Sequence, residues 1–177
     1  MAIFKYVNKK YLCSSDLSNL IYYITKPQKA WMVYSNMLYY EDVSLVLTQW
    51  MYHHIYHHKP TDLVYHYILS FQPCYDLPSS CSFLLMRIMQ DIANMECFRN
   101  INLLMGVHKE TSASPYHIHI AADTINKVTG KHLFIDYHDL INSLGKILES
   151  YNIPLIGYQP APNAARYTPI QFISFAS

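Results

Sequence analysis

Pro115-Tyr116-His117-Ile118-His119-Ile120-Ala121-Ala122-Asp123 is the stretch from which the rest of the chain can be read. From Tyr116 to Ala122 the residues are mostly β-branched, aromatic or small, a composition that favours a short strand. Side chains alternate between the two faces of a strand. His117 and His119 therefore leave the sheet on one side, while Ile118 and Ile120 leave on the other and can enter a core. Two neutral imidazoles on one face are half of a metal site. They suit zinc, manganese, nickel, copper or iron better than calcium.

A third imidazole lies upstream. Ile101-Asn102-Leu103-Leu104-Met105-Gly106-Val107-His108 reads as a second strand with His108 at its end. The connection from Lys109 to Pro115 holds Thr, two Ser, Ala and Pro and reads as a turn or short loop. Consecutive strands usually pair, so His108 is expected beside His117 and His119. Three imidazoles could close on one cation and leave positions open for substrate. A lone strand histidine is more often an ordinary hydrogen-bonded residue. Two on one face with a third on the neighbouring strand make a stronger pattern.

The 177 residues are enough for one domain with a sizeable core, expected over 1–158 with 159–177 as a C-terminal tail. Hydrophobic residues make up 51% and charged residues 14%, which excludes a disordered chain. No apolar run is long enough to span a bilayer. The start lacks the charged and apolar regions of a secretory leader, so a cytoplasmic protein with no membrane partner is expected. Cys13, Cys74, Cys81 and Cys97 show no paired or zinc-finger spacing and read as reduced thiols. A net charge of +1 is low for a nucleic-acid protein, so DNA binding would need a local patch or stacking on some of the 17 tyrosines.

Along the chain, Ile3 to Val7 reads as a strand. A helix follows, capped by Ser15 or Asp16, with Leu17, Leu20, Ile21 and Ile24 on one face and an end at Lys26 before Pro27. Tyr22 and Tyr23 flank that stripe. Residues 30–40 read as irregular. A second helix, from Asp42 to about His58, presents Val43, Val46, Leu47, Trp50, Met51 and Ile55. Its pairs His53/His57 and His54/His58 are four apart, yet no metalloprotease Glu accompanies them, and structural or solvated histidines are the better reading. Val64 to Phe71 alternates as a central strand. A third helix spans about Ser80–Met95 and a fourth is capped by Asp136, with a last strand at Ile153–Gly157. The order predicts an α+β fold: an antiparallel central sheet flanked by helices.

Three blocks then resemble the relaxases, mobilisation nucleases within the HUH endonucleases. Leu20-Ile21-Tyr22-Tyr23-Ile24-Thr25-Lys26-Pro27-Gln28-Lys29 is similar to the family's N-terminal tyrosine helix. Val64-Tyr65-His66-Tyr67-Ile68-Leu69-Ser70-Phe71 is similar to the strand before its middle helix. His108-Lys109-Glu110 through His117-Ile118-His119, with Asp123, Asn126 and Thr129-Gly130-Lys131, is similar to its histidine strand pair. A tyrosine before the histidines favours relaxases over replication initiators. Glu110 stands where Asp is common, and Asp123 where Asn is common.

The resemblance implies strand-specific DNA nicking and joining by tyrosine transesterification at an origin of transfer, initiating conjugative mobilisation of a plasmid or integrative element. Tyr23 matches the nucleophile, since Ile24-Thr25-Lys26 follows it, with Tyr22 the weaker candidate. His108, His117 and His119 match the metal ligands, and Glu110 a supporting catalytic role. A phenol is protonated at neutral pH, and Glu110, His66 or a bound water could take its proton. The implied cofactor is a divalent ion, Mn or Mg for activity, with Zn or Ni able to sit in the site. The implied partners are single-stranded DNA, contacted by Lys26, Lys29 or Lys131 and by Arg166, and an accessory DNA-binding or coupling protein. Two other readings compete: a non-catalytic single-stranded nucleic-acid-binding module, and a transposase or replication-initiator type HUH nuclease with Tyr151 as its later tyrosine.

Overall fold

The computed structural model describes residues 1–56, 62–71, 81–109 and 116–159. Glu110, His57, His58, Cys74 and Arg166 lie outside the described residues, as does the expected tail beyond Gln159. Among the described residues, six strands and four α-helices follow in the order β1 Ala2–Tyr6, α1 Ser14–Thr25, β2 Ala30–Ser35, α2 Val43–Tyr56, β3 Val64–Phe71, α3 Cys81–Ala93, β4 Leu103–His108, β5 His117–Asp123, α4 Tyr137–Ser150 and β6 Leu155–Gln159.

The strands form one sheet in the order β2-β4-β5-β3-β1-β6. The pairings β2/β4, β4/β5, β5/β3 and β3/β1 are antiparallel, as expected. At one edge β6 pairs with β1 in parallel, so the sheet is mixed. The expected last strand, Ile153–Gly157, begins two residues later, because Ile153 and Pro154 complete the turn out of α4, where Ile153 N bonds Leu148 O. Residues 30–35, expected to be irregular, form edge strand β2 with a register shift between Ala30 and Met32.

Residues opposite each other in the ladder share a face, which divides the sheet into two sides. One side carries Phe4, Tyr67, Leu69, Leu103, Met105, Val107, Ile118 and Ile120 and packs under α3 and α4 to form the larger core. The other carries Val64, Leu104 and Ala121 and packs under α1 and α2 through Leu17, Leu20, Ile21, Ile24, Val46 and Trp50. Each large side chain buried here contributes roughly 1.5–3 kcal/mol. The stripe expected on α1 is buried in full, and the helix ends at Thr25 before Pro27. It starts at Ser14 with Cys13 as N-cap and no side-chain cap bond, in place of the expected Ser15 or Asp16. Asp136 does cap α4, accepting from the amides of His138 and Asp139.

Helix α2 differs from its expected face. Only Val46 and Trp50 are buried, and Ile55 is exposed, because α2 rests mainly against α1 at the margin of the smaller core. Its His54 serves structure. Nε2 bonds the buried Asp123 carboxylate at 2.8 Å, and Asp123 also accepts from Asn102 Nδ2 and the Ile125 amide. Among the described residues no helix is long and apolar enough to cross a membrane.

Candidate active site

The histidines converge by strand register. His108 pairs with His117, and Gly106 pairs with His119, so all three imidazoles rise on the side of the sheet under α1. Each is buried, and one potential ligand nitrogen from each lies within 4.8 Å of the others. Adjacent ring centroids are 4.5–5.5 Å apart.

Burial strongly disfavours charge on His119. The His119 pKa is lowered to about 2, first by desolvation and then by His108, His66, His117 and Lys29. It stays neutral and keeps one nitrogen lone pair. Among the described residues its Nε2 is buried without a hydrogen-bond partner. A buried polar atom with no partner calls for an explanation such as an ion. An all-imidazole donor set suits a first-row divalent metal. The residues present therefore fit a metal centre.

Helix α1 brings the tyrosine. Gly106 lacks the Cβ that would strike Ile24, whose carbonyl oxygen would lie 2.6 Å away. That omission lets the end of α1 settle on β4. His108 Nε2 donates to the Ile24 carbonyl at 3.2 Å, tying the helix end to the triad. The next side chain back, Tyr23, projects over the histidines, with its ring 5.0 Å from that of His108 and 5.1 Å from that of His119. Tyr23 is 37% exposed, so one edge of the phenol meets solvent. Tyr22 is more exposed and turns away to stack under Lys26, whose Nζ lies 5.8 Å from its ring.

The basic residues divide. Lys29 Nζ stands 5.1 Å over the Tyr23 ring, at the site. Lys131 lies in the loop past the opposite end of β5 and is not brought to the triad. Trp31 and Tyr116 pack with ring centroids 5.5 Å apart at the strand ends that carry His108 and His117. Tyr151 caps α4 and packs with the larger core on the other side of the sheet, its hydroxyl bonded to Asp91. It is thus separated from the histidines, which removes the residue on which a transposase-type reading depends.

The sequence alone does not mark two contributors to the site, Gly106 and Tyr11. Tyr11 hydroxyl lies 2.8 Å from His66 Nδ1, and His66 Nε2 lies 3.0 Å from His119 Nδ1. The alternation of β3 was the available signal for His66, since it places His66 on the same face as Ile68, the ladder partner of His119.

Comparison with curated proteins and with solved structures gives no match. A family model does match: relaxase, MobA/VirD2-like, nuclease domain, over residues 23–151. The matched span opens on Tyr23, contains all three histidines and covers most of the chain. With the α+β sheet that carries them, it shows that the chain belongs to the relaxases, the nucleases that nick DNA for mobilisation.

Proposed function

We propose that this relaxase nicks and rejoins one DNA strand at an origin of transfer, with Tyr23 as nucleophile, and so starts the mobilisation of a plasmid or integrative element. One observation carries the reading: the Tyr23 ring stands 5.0 and 5.1 Å from two of three histidines whose ligand nitrogens cluster. Tyr23 Oη attacks the scissile phosphorus and gives up its proton. The 3′ oxygen leaves and is protonated. The products are a 5′-phosphotyrosyl bond and a free 3′-hydroxyl. One phosphoester replaces another, so the same step in reverse reseals the strand.

His108, His117 and His119 would hold a divalent ion, Mn or Mg in turnover and Zn or Ni by donor preference, which would supply Lewis-acid polarisation of the phosphate. Lys29 and Lys26 would meet phosphates beside the cut, and unpaired bases would stack on exposed Tyr22 and Trp31. Lys131 would touch DNA farther along. Glu110 or a bound water would take the phenolic proton, since both His66 nitrogens are engaged. An accessory DNA-binding or coupling protein and a cytoplasmic setting complete the proposal.

The test incubates the full chain with Mn2+ and a pool of randomised single-stranded oligonucleotides. Covalent protein–DNA adducts are then isolated under denaturing conditions. The expected product is a 5′-linked adduct mapped to Tyr23 by mass spectrometry. An adduct on another residue would overturn the choice of nucleophile, and tight binding without adduct would favour the non-catalytic binding module.

A further inference from the structure

The nitrogens of His119 face two different surroundings. Nδ1 lies 3.0 Å from His66 Nε2, while Nε2 is buried and unpartnered among the described residues. A neutral imidazole has one N–H and one lone pair. Two imidazole nitrogens at this distance share a single proton, so one ring donates and the other accepts. Donation by His66 would leave the His119 proton on buried Nε2 with nothing to receive it. Donation by His119 Nδ1 leaves a lone pair on Nε2, which is what a metal ligand requires. His66 then accepts at Nε2 and carries its own proton on Nδ1, 2.8 Å from the Tyr11 hydroxyl. Tyr11, His66 and His119 are all buried, so water does not compete for these bonds.

We propose that His66 is a positioning residue that fixes His119 as an Nε2 ligand, and that Tyr11 in turn holds the His66 ring; this rests on the metal-centre reading above. Ligating histidines commonly donate their second N–H to a carboxylate, a backbone carbonyl or water. Here the acceptor is a neutral imidazole. It sets the ligand's tautomer without adding negative charge beside a site meant for a phosphate.

The test has two readouts, neither of them nicking. Side-chain 15N correlation spectra of the metal-free wild-type chain give the His119 tautomer directly, with no variant that must fold. The expected form carries its proton on Nδ1; a proton on Nε2 overturns the proposal. Co2+ titration, followed by its visible absorption, then compares wild type with His66→Leu, which cannot accept, and His66→Gln, whose amide oxygen can. We expect about 10–100-fold weaker binding for His66→Leu, most of it restored by His66→Gln, and a smaller loss for Tyr11→Phe. Equal Co2+ affinity in wild type and folded His66→Leu overturns the role of His66 alone. Failure of the wild type to bind Co2+ overturns the metal centre and the role of His66 together.

Discussion

Gly106 and Ile24 meet backbone to backbone: a Cβ on Gly106 would fall 2.6 Å from the Ile24 carbonyl oxygen and 2.7 Å from its Cγ2. The same carbonyl receives the His108 Nε2–H. One missing methyl group thus sets how α1 sits over the triad. Gly106→Ala must push the helix outward at an expected cost of about 1–3 kcal/mol, the range for overpacking. Because Tyr23 rides on that helix, adduct formation should fall much further than the urea midpoint does. Parallel loss of both would show that the helix end is not what places the phenol.

Tyr23→Phe removes only an oxygen from a part-exposed ring. Fold and single-strand binding should be kept, and covalent capture should drop below detection. Tyr22→Phe should capture DNA like the wild type, since Tyr22 lies under Lys26 and away from the histidines. The reverse pattern would make Tyr22 the nucleophile.

Alanine at His117 or His119 would delete a proposed ligand. Calorimetric Mn2+ titration should show a loss larger than the roughly 10–100-fold typical of residues that merely orient a ligand. Chelation of wild-type protein should abolish adduct formation, and added Mn2+ should restore it. Chelator-resistant cleavage would refute a metal role.

Asp123→Ala strips an acceptor from His54, Asn102 and the Ile125 amide, all at the far end of β5. Buried donors left without partners cost about 1–3 kcal/mol each. We expect urea unfolding to show a loss of roughly 2–4 kcal/mol after partial relaxation, with Co2+ affinity unchanged. A shift in Co2+ affinity would mean that the two ends of the strand are coupled.

Acid should weaken the metal-free fold. Burial lowers His66 to about 4 and His119 to about 2, from an ordinary 6.5. Below pH 6.5 the unfolded chain takes up protons that the folded chain refuses, so stability falls as pH falls. The decline should run from about 6.5 toward 4 for His66 and on toward 2 for His119, and these two groups should add no slope above 6.5. Urea midpoints over that range provide the check, and a flat profile would contradict their burial.

Much of this arrangement was legible in the residues. Alternation in Val64–Phe71 and Tyr116–Ala122 set the strands, and the spacing of His117 and His119 set their common face. The apolar stripe of α1 left Tyr23 on its flank. The rest depends on contacts between elements. Edge strand β2 has six residues of intermediate or greater exposure and a register shift, so its Ala30-Trp31-Met32-Val33 run shows no alternation. Helix α2 reads as broadly apolar, and the sequence does not reveal that only Val46 and Trp50 reach the smaller core while the rest of the helix lies against α1 or solvent. Gly106 had no signature at all, since its importance lies in a helix more than eighty residues upstream. The sequence offers His66 as a proton acceptor, but its bond to His119 depends on the pairing of β3 with β5.

Helix α1 drives four apolar side chains into the smaller core along its whole length. Tyr23, as the proposed nucleophile, would have little freedom to swing. After cutting, the captured DNA end would stay anchored at the spot where it was taken, while the released end drifts only as far as its own stacking allows. Such a mount would act less like a blade than like a clamp, keeping the broken strand ready for repair by the same residue that opened it.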